Sequence, residues 1–170
     1  MPASTRLAIR RANQDDLPQL RSLSESDTTA AHWTEQQWND IFSRPLPRRL
    51  AWVAEGWIAE ERDTKRREKT ESAGTGVAGF LVALDNGPEW ELENVAVLPS
   101  LRRRGVGRAL VGHLLEQASQ AGAEQILLEV RASNQRAISL YQASGFRLLA
   151  RRPRYYSNPE EDALILTREL

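Results

Sequence analysis

The run Arg102-Arg103-Arg104-Gly105-Val106-Gly107 constrains this 170-residue chain more than any other segment. It follows a strand-like stretch, Glu89 to Leu98, that Pro99 ends. It opens an amphipathic helix from Val106 to Ala121, with Leu110, Leu114 and Ala118 on one face and Gly122 after its end. A helix N-terminus leaves backbone N–H groups unpaired and carries partial positive charge, so it holds anions. Gly105 and Gly107 let those groups close on an anion with no Cβ in the way. The guanidinium groups of Arg102, Arg103, Arg104 and Arg108 add attraction and two-pronged contacts. A phosphate-bearing ligand fits this pattern. It is not a P-loop, which needs Gly-Lys-Ser/Thr, nor a dinucleotide fingerprint, which needs three glycines in an early strand–loop–helix unit.

Patterning sets the elements around the loop. Arg6-Leu7-Ala8-Ile9-Arg10 alternates as a first strand. Asn13 with Asp15 and Asp16 reads as a helix cap and acidic first turn ahead of Leu17, Leu20 and Leu23. Thr34-Glu35-Gln36-Gln37 has the capping-box pattern and starts a short helix carrying Trp38 and Ile41, stopped by Pro45 and Pro47. Leu50 to Ala59 and Gly76 to Leu84 read as an antiparallel pair joined by a charged loop, Glu60 to Thr75. Gln125 to Val130 is a buried strand, Asn134 to Ser144 a helix closed by Gly145, and Phe146 to Leu149 and Ala163 to Thr167 are the last strands. The expected architecture is one α/β domain over residues 1–170, a mixed sheet covered by helices on both faces.

Composition removes several functions. Lys+Arg and Asp+Glu both number 23, so no net field draws the chain to nucleic acid or to a membrane. The absence of cysteine excludes disulfides, thiolate zinc sites and a cysteine nucleophile, and agrees with a cytoplasmic location. His32 and His113 are the sole imidazoles, so no metal is expected. Met1 to Gln14 has no apolar core of signal-peptide length, and no run approaches a membrane span. A monomer or weak dimer is the expected assembly.

Arg-x-x-Gly-x-Gly after a strand resembles the pyrophosphate loop of the GNAT N-acetyltransferases. Downstream, Leu128-Glu129-Val130-Arg131-Ala132-Ser133-Asn134 and Ala137-Ile138-Ser139-Leu140-Tyr141 with Gly145-Phe146 resemble one subfamily, the ribosomal-protein-alanine N-acetyltransferases. Agreement continues through Arg151-Arg152, Tyr155-Tyr156 and Glu161-Asp162-Ala163; upstream of Asn94 it rests mainly on Trp33-Thr34. The resemblance implies the GNAT fold, a twisted, mostly antiparallel sheet of six to seven strands. It also implies acetyl-CoA as co-substrate and the N-terminal alanine of a small-subunit ribosomal protein as acceptor. By position, Val95, Ala96 and Val97 would offer backbone groups to the pantetheine and thioester. Arg102, Arg103, Arg104, Gly105, Val106, Gly107 and Arg108 would hold the pyrophosphate, and Asn134 would touch the cofactor. Glu129 matches the family's proton acceptor and Tyr141 its proton donor. Trp33, Glu93, Tyr155 and Tyr156 fall on the acceptor side. Two departures lie there too: His32 stands where a proline is more usual, and the charged loop after Ala59 is long.

Acetyl transfer from a thioester needs a neutral amine, a stabilised oxyanion and a protonated leaving thiolate. Without cysteine, direct attack in a ternary complex is favoured over a covalent acetyl-enzyme. An N-terminal amine has a pKa near ~8, so a carboxylate acting through water suffices as base. Tyr141, ordinarily near ~10, is the candidate acid for a thiolate whose thiol lies near ~8.5. Each residue also has a plain structural use. Glu129 suits an ion pair with an arginine, Tyr141 core packing, Asn134 a helix cap, and Trp33 either a groove wall or a packing staple. Glu93 is the rival base. Acetylation of small amines or of lysine side chains is the enzymatic alternative. A non-catalytic acyl-CoA-binding module is the other, against which Glu129 and Tyr141 together argue.

Overall fold

Alternation of apolar residues along four central strands produces two cores on opposite faces of one seven-stranded sheet. The computed structural model describes residues 6–27, 33–43, 48–57 and 76–170. His32 and the charged loop Glu60 to Thr75 lie outside these residues. The elements are β1 (Arg6–Arg11), α1 (Leu17–Glu25), α2 (Glu35–Ser43), β2 (Arg48–Trp57), β3 (Val77–Asn86), β4 (Glu89–Val97), α3 (Val106–Gln120), β5 (Gln125–Arg131), α4 (Gln135–Ala143), β6 (Arg147–Ser157) and β7 (Glu160–Glu169). The strand order is β1-β2-β3-β4-β5-β7-β6. Every described neighbour pair is antiparallel except β4–β5.

On β2, Leu50, Trp52 and Ala54 face α3 and α4, while Ala51 and Val53 face α1 and α2. β3 is buried on both faces from Val77 to Ala83 and divides the two cores. The first core adds Leu110, Leu114, Ile126, Leu128 and Tyr141; the second adds Leu20, Trp38, Ile41 and Phe80. Gly79 brings α3 close to the sheet, since a Cβ there would lie 2.8 Å from Ala96 O and 3.2 Å from Val106 Cγ1.

The expected caps form. Asn13 Oδ1 accepts from Asp15 N–H at 2.8 Å, and Asn13 N–H donates to Asp16 Oδ2 at 2.8 Å. At α2, Thr34 N–H donates to Gln37 Oε1 at 2.8 Å and Gln37 N–H to Thr34 Oγ1 at 3.3 Å. The last two strands are much longer than the runs Phe146 to Leu149 and Ala163 to Thr167 suggest. β6 is the sheet edge, nearly all exposed, arginine-rich and interrupted by Pro153, and its register with β7 shifts twice. Such a strand is held by backbone ladders and carries no burial pattern to read.

One irregularity positions everything that follows. β4 and β5 pair only from Glu89↔Gln125 to Leu92↔Leu128, yet β4 continues to Val97 and β5 to Arg131. At that point the β3–β4 register shifts, so that Val82 faces Asn94 and Ala83 faces Leu92, leaving Glu93 as a bulge. The bulge reverses the alternation of β4. Leu92 belongs to the α3 side, whereas Ala96 belongs to the α1–α2 side and Val95 and Val97 pack toward α3.

Asp16 ties the first turn to the sheet. Its carboxylate receives Arg10 Nη1 at 2.8 Å and Nη2 at 2.9 Å, and Arg10 in turn contacts Glu55 on β2. The Arg10 guanidinium holds the Asp16 carboxyl below its ordinary pKa despite burial. A depressed folded value stabilises the fold above the unfolded pKa of about 4, and that contribution fades as pH falls through the lower folded value. Asp16→Ala is expected to lower unfolding free energy by about 2 kcal/mol at pH 7, from a lost cap and a charge-assisted pair. The difference from wild type should shrink below about pH 4. Urea unfolding of both proteins across pH checks it.

Candidate active site

The loop ahead of α3 has the backbone of an anion cradle. Gly105 occupies the N-cap position with φ +88°, and Arg103 also has positive φ, at 62°. No side chain caps α3. The first helical bond runs from Ala109 N–H to Gly105 O at 2.9 Å, so the N–H groups of Val106, Gly107 and Arg108 precede the ladder. A Cβ added at Gly105 would meet nothing within 4 Å, so the residue serves conformation. Gly107 serves space, because a Cβ there would sit 3.2 Å from Leu140 Cδ2 on α4. Arg103, Arg104 and Arg108 are exposed around this terminus.

Arg102 is placed differently. Its Nη2 pairs with Asp27 Oδ2 at 2.9 Å, just beyond α1, and its Nε donates to Val97 O at 3.2 Å. It therefore ties the loop to the end of β4 and to the α1 side, where the sequence suggested a phosphate ligand.

Beyond Leu92 and Leu128 the sheet opens into a cavity of about 860 Å³. Leu98 N–H bonds to Ala78 O at 2.9 Å, so by antiparallel alternation Val95 and Val97 turn their amide groups toward the β5 side. The Val97 carbonyl reached by Arg102 Nε agrees with that direction. Val95, Ala96, Val97, Arg102, Arg103, Gly105, Gly107, Arg108 and Asn134 all line this cavity. Arg104 and Val106 do not; Val106 is a core residue. Asn134 is also the α4 N-cap, accepting from Ala137 N–H at 3.2 Å.

The cavity passes through the sheet, and its titratable groups divide by face. On the α3–α4 side lies Tyr141, buried, its ring tilted against that of Phe146 at 5.8 Å. Burial pushes its hydroxyl pKa well above the ordinary tyrosine value. On the opposite side, Glu129 alternates with the core residues Leu128 and Val130, and Glu91 alternates with Leu92. Arg152 Nη1 donates to Glu129, and the same carboxylate lies close enough to the Tyr155 hydroxyl to raise the tyrosine's pKa. The Arg152 and Arg131 guanidinium groups lie over the rings of Tyr155 and Tyr156, at 5.5 and 4.1 Å. The two tyrosines meet edge-on at 5.2 Å.

Glu93, the bulged residue, has both oxygens taken by Arg49, at 2.7 and 2.9 Å. Arg49 also lies 5.6 Å over Trp33. Trp33 lines the cavity and packs on Trp38 at 5.0 Å, so it is both wall and staple. Glu91 was not singled out from sequence. It is half-buried, and its carboxyl pKa is raised by burial first, then by Glu93, Glu129 and Glu89. The spacing Glu89-x-Glu91-x-Glu93 is the signal that marks it. Arg136, exposed on the cavity rim from the first turn of α4, was also missed, because it falls in no recognisable pattern, and Arg152, part of the resemblance, was given no contact with Glu129. Among the described residues no group of three or more His, Asp or Glu side chains is placed to hold a metal ion.

The loop arginines should therefore separate into two kinds. Arg108→Ala is expected to weaken coenzyme A binding about three- to tenfold, more at low salt, with an unchanged melting curve. Arg102→Ala should cost about 1 kcal/mol of stability, because it removes an ion pair and a carbonyl contact. Calorimetric titration with coenzyme A, alongside thermal unfolding, distinguishes them.

Known proteins agree with this geometry. Residues 17–146 match the Acetyltransferase (GNAT) family. The chain is 44% identical over 80 residues to the [ribosomal protein bS18]-alanine N-acetyltransferase of Escherichia coli, a match covering 46% of this chain and 54% of that protein. The match thus spans about half of that relative's length. The crystal structure of the E. coli ribosomal-protein-S18-alanine N-acetyltransferase superposes with a TM-score of 0.74 at 27% identity, covering 96% of this chain and 94% of that one. Arabidopsis thaliana NAA60 in complex with acetyl-CoA shares the fold, with a TM-score of 0.78 at 18% identity over 97% of this chain and 99% of that one. With three quarters of its length inside the family match, and the uncapped α3 terminus set beside an opened parallel pair, this chain belongs to the GNAT acetyltransferase family.

Proposed function

We propose that the protein transfers the acetyl group of acetyl-CoA to the N-terminal α-amine of a protein, with the N-terminal alanine of a ribosomal protein as the acceptor class. The observation that carries this reading is the cavity through the sheet. It has an anion cradle and a buried tyrosine on one face, and carboxylates and paired tyrosines on the other. The likeness to the E. coli bS18-alanine acetyltransferase supports this acceptor class.

The bound thioester brings an electrophilic carbonyl and a thiolate leaving group. In this reading the N–H groups of Val106, Gly107 and Arg108, with the side chains of Arg103 and Arg108, hold the pyrophosphate. Val95 and Val97 offer amide groups along the gap. The chain has no cysteine, which favours direct attack by the amine over a covalent acetyl-enzyme. Glu129 accepts the amine proton through water, with Arg152 and Tyr155 fixing its position. Tyr141, kept protonated by burial, donates to the departing sulfur. Even an unshifted tyrosine near ~10 makes full transfer to a thiolate near ~8.5 uphill by about 2 kcal/mol, so its main service is hydrogen bonding as charge develops.

Glu91 supports a second assignment of the base. Its carboxyl pKa is raised, and no hydrogen bond or ion pair to it is present among the described residues. Both oxygens of Glu93 are occupied by Arg49, which leaves Glu91 and Glu129 as contenders.

Glu129→Gln is expected to lower kcat about 10²-fold on an alanine-initiated peptide, with coenzyme A affinity unchanged. An equal loss in Glu91→Gln alone would move the base to β4. kcat/KM should rise with pH as the amine loses its proton near ~8, with no falling limb before about pH 10, because Tyr141 stays protonated. Stopped assays of coenzyme A release between pH 6 and 10 check both. A falling limb that disappears in Tyr141→Phe would contradict the placement of Tyr141.

A further inference from the structure

Asn94 is the least explained polar residue of the fold. It is 3% exposed, and neither Oδ1 nor Nδ2 has a hydrogen-bond partner among the described residues. Burying both ends of a carboxamide without partners is costly, and native structures rarely leave such groups without reason. Two other described residues have an unpartnered buried side-chain nitrogen, Arg21 and Trp90, and neither lines the cavity. Asn94 does.

Its position is set by the bulge. Asn94 lies opposite Val82 and shares a face with Val82 and Ala96, the α1–α2 side. It is the second residue of β4 past the last β4–β5 pair, so it stands at the lip of the gap on the side of Glu91, Glu93 and Glu129. Its immediate surroundings on that face are apolar, and no described arginine or glutamate reaches it.

We infer that Asn94 is a specificity-determining residue that reads the first residue of the acceptor, a step that rests on the proposed N-terminal acetylation. A carboxamide presents one acceptor and one donor side by side. The first residue of a peptide presents the complement: amine N–H groups and, two bonds from the amine nitrogen, its own backbone carbonyl. Oδ1 takes the amine N–H and Nδ2 donates to the first carbonyl, satisfying both buried atoms together. A lysine side chain offers its amine with no carbonyl near it, and a simple alkyl amine offers none at all. Either would leave Nδ2 unpaired in an apolar wall. A site built to hydrogen-bond a substrate group rejects analogues lacking it far better than one built on shape. Asn94 thus selects α-amines over ε-amines.

The test compares two peptides on the full chain with acetyl-CoA. One has a free N-terminal alanine; the other has a blocked N-terminus and one free lysine. Wild type should favour the first, and Asn94→Leu, of similar volume, should lower kcat/KM for it about tenfold or more, with a much smaller change for the second. The melting temperature should hold or rise, since two unpaired buried groups are removed. Equal losses on both peptides with a lower melting temperature would show a structural residue and overturn the inference. Wild-type turnover of the lysine peptide alone would overturn the underlying N-terminal reading as well. Turnover of the alanine peptide by both proteins with equal preference would overturn the role of Asn94 alone. In the native protein, the Asn94 side-chain ¹⁵N–¹H signals should shift on titration with the alanine peptide and stay in place with the lysine peptide. No shift with the alanine peptide contradicts the inference without any variant.

Discussion

The structure depends on a refusal of two strands to pair. Parallel β4 and β5 share a ladder as far as Leu92 and Leu128, then separate while both continue. Backbone amides left without a ladder partner must find other partners or face solvent, so a sheet does not open in its centre without support. Here the support is identifiable. The Glu93 bulge bends β4 away, and Arg49 secures the bulged carboxylate with two hydrogen bonds. Gly79 and Gly107 seat α3 tightly against the sheet and α4, and Arg102 closes the far end by holding Val97 O and Asp27.

The opening gives the site two sides, and the bulge decides which residues belong to each. Without the bulge, with Glu93 paired in regular alternation, Asn94 would keep the orientation of Leu92, and the valines beyond it would face the α1–α2 side. With it, Val95 and Val97 turn toward the α3 side, where the cradle and Tyr141 lie, and Asn94 turns to the carboxylate side. Under the proposed reaction this separation matters chemically. The group that receives a proton and the group that donates one sit on opposite faces, and the reacting carbon lies in the gap between them. Burial suits the tyrosine's part by keeping it protonated, whereas ion pairing and tyrosine contacts fix the carboxylate's position.

Much of this was legible in the residues. The glycine-spaced loop before an apolar helix stripe announced the anion cradle, and the element order followed from alternation and caps at Asn13, Thr34 and Asn134. What was hidden has physical causes. Arg102 reads as one of four equivalent cations, and only the fold reveals its pairing with Asp27. β6 is an exposed edge built of arginine and proline, so its eleven residues carry no periodicity. Asn94 sits in an otherwise regular strand, where a bulge is invisible in sequence and the lack of partners can be seen only in three dimensions. The capture of Glu129 by Arg152 joins strands far apart in the chain. Its distance in sequence, 23 residues, is beyond any local pattern.

The central claim is that the gap between β4 and β5 delivers acetyl groups to protein N-termini. Mass spectrometry of protein N-termini from cells with and without this gene tests it most directly. The account predicts a small set of N-termini, a ribosomal protein beginning with alanine among them, whose α-acetylation disappears with the enzyme and returns with the wild-type chain but not with Glu129→Gln. Unchanged N-termini, with losses confined to acetyl-lysine or to small acetylated amines, would contradict it.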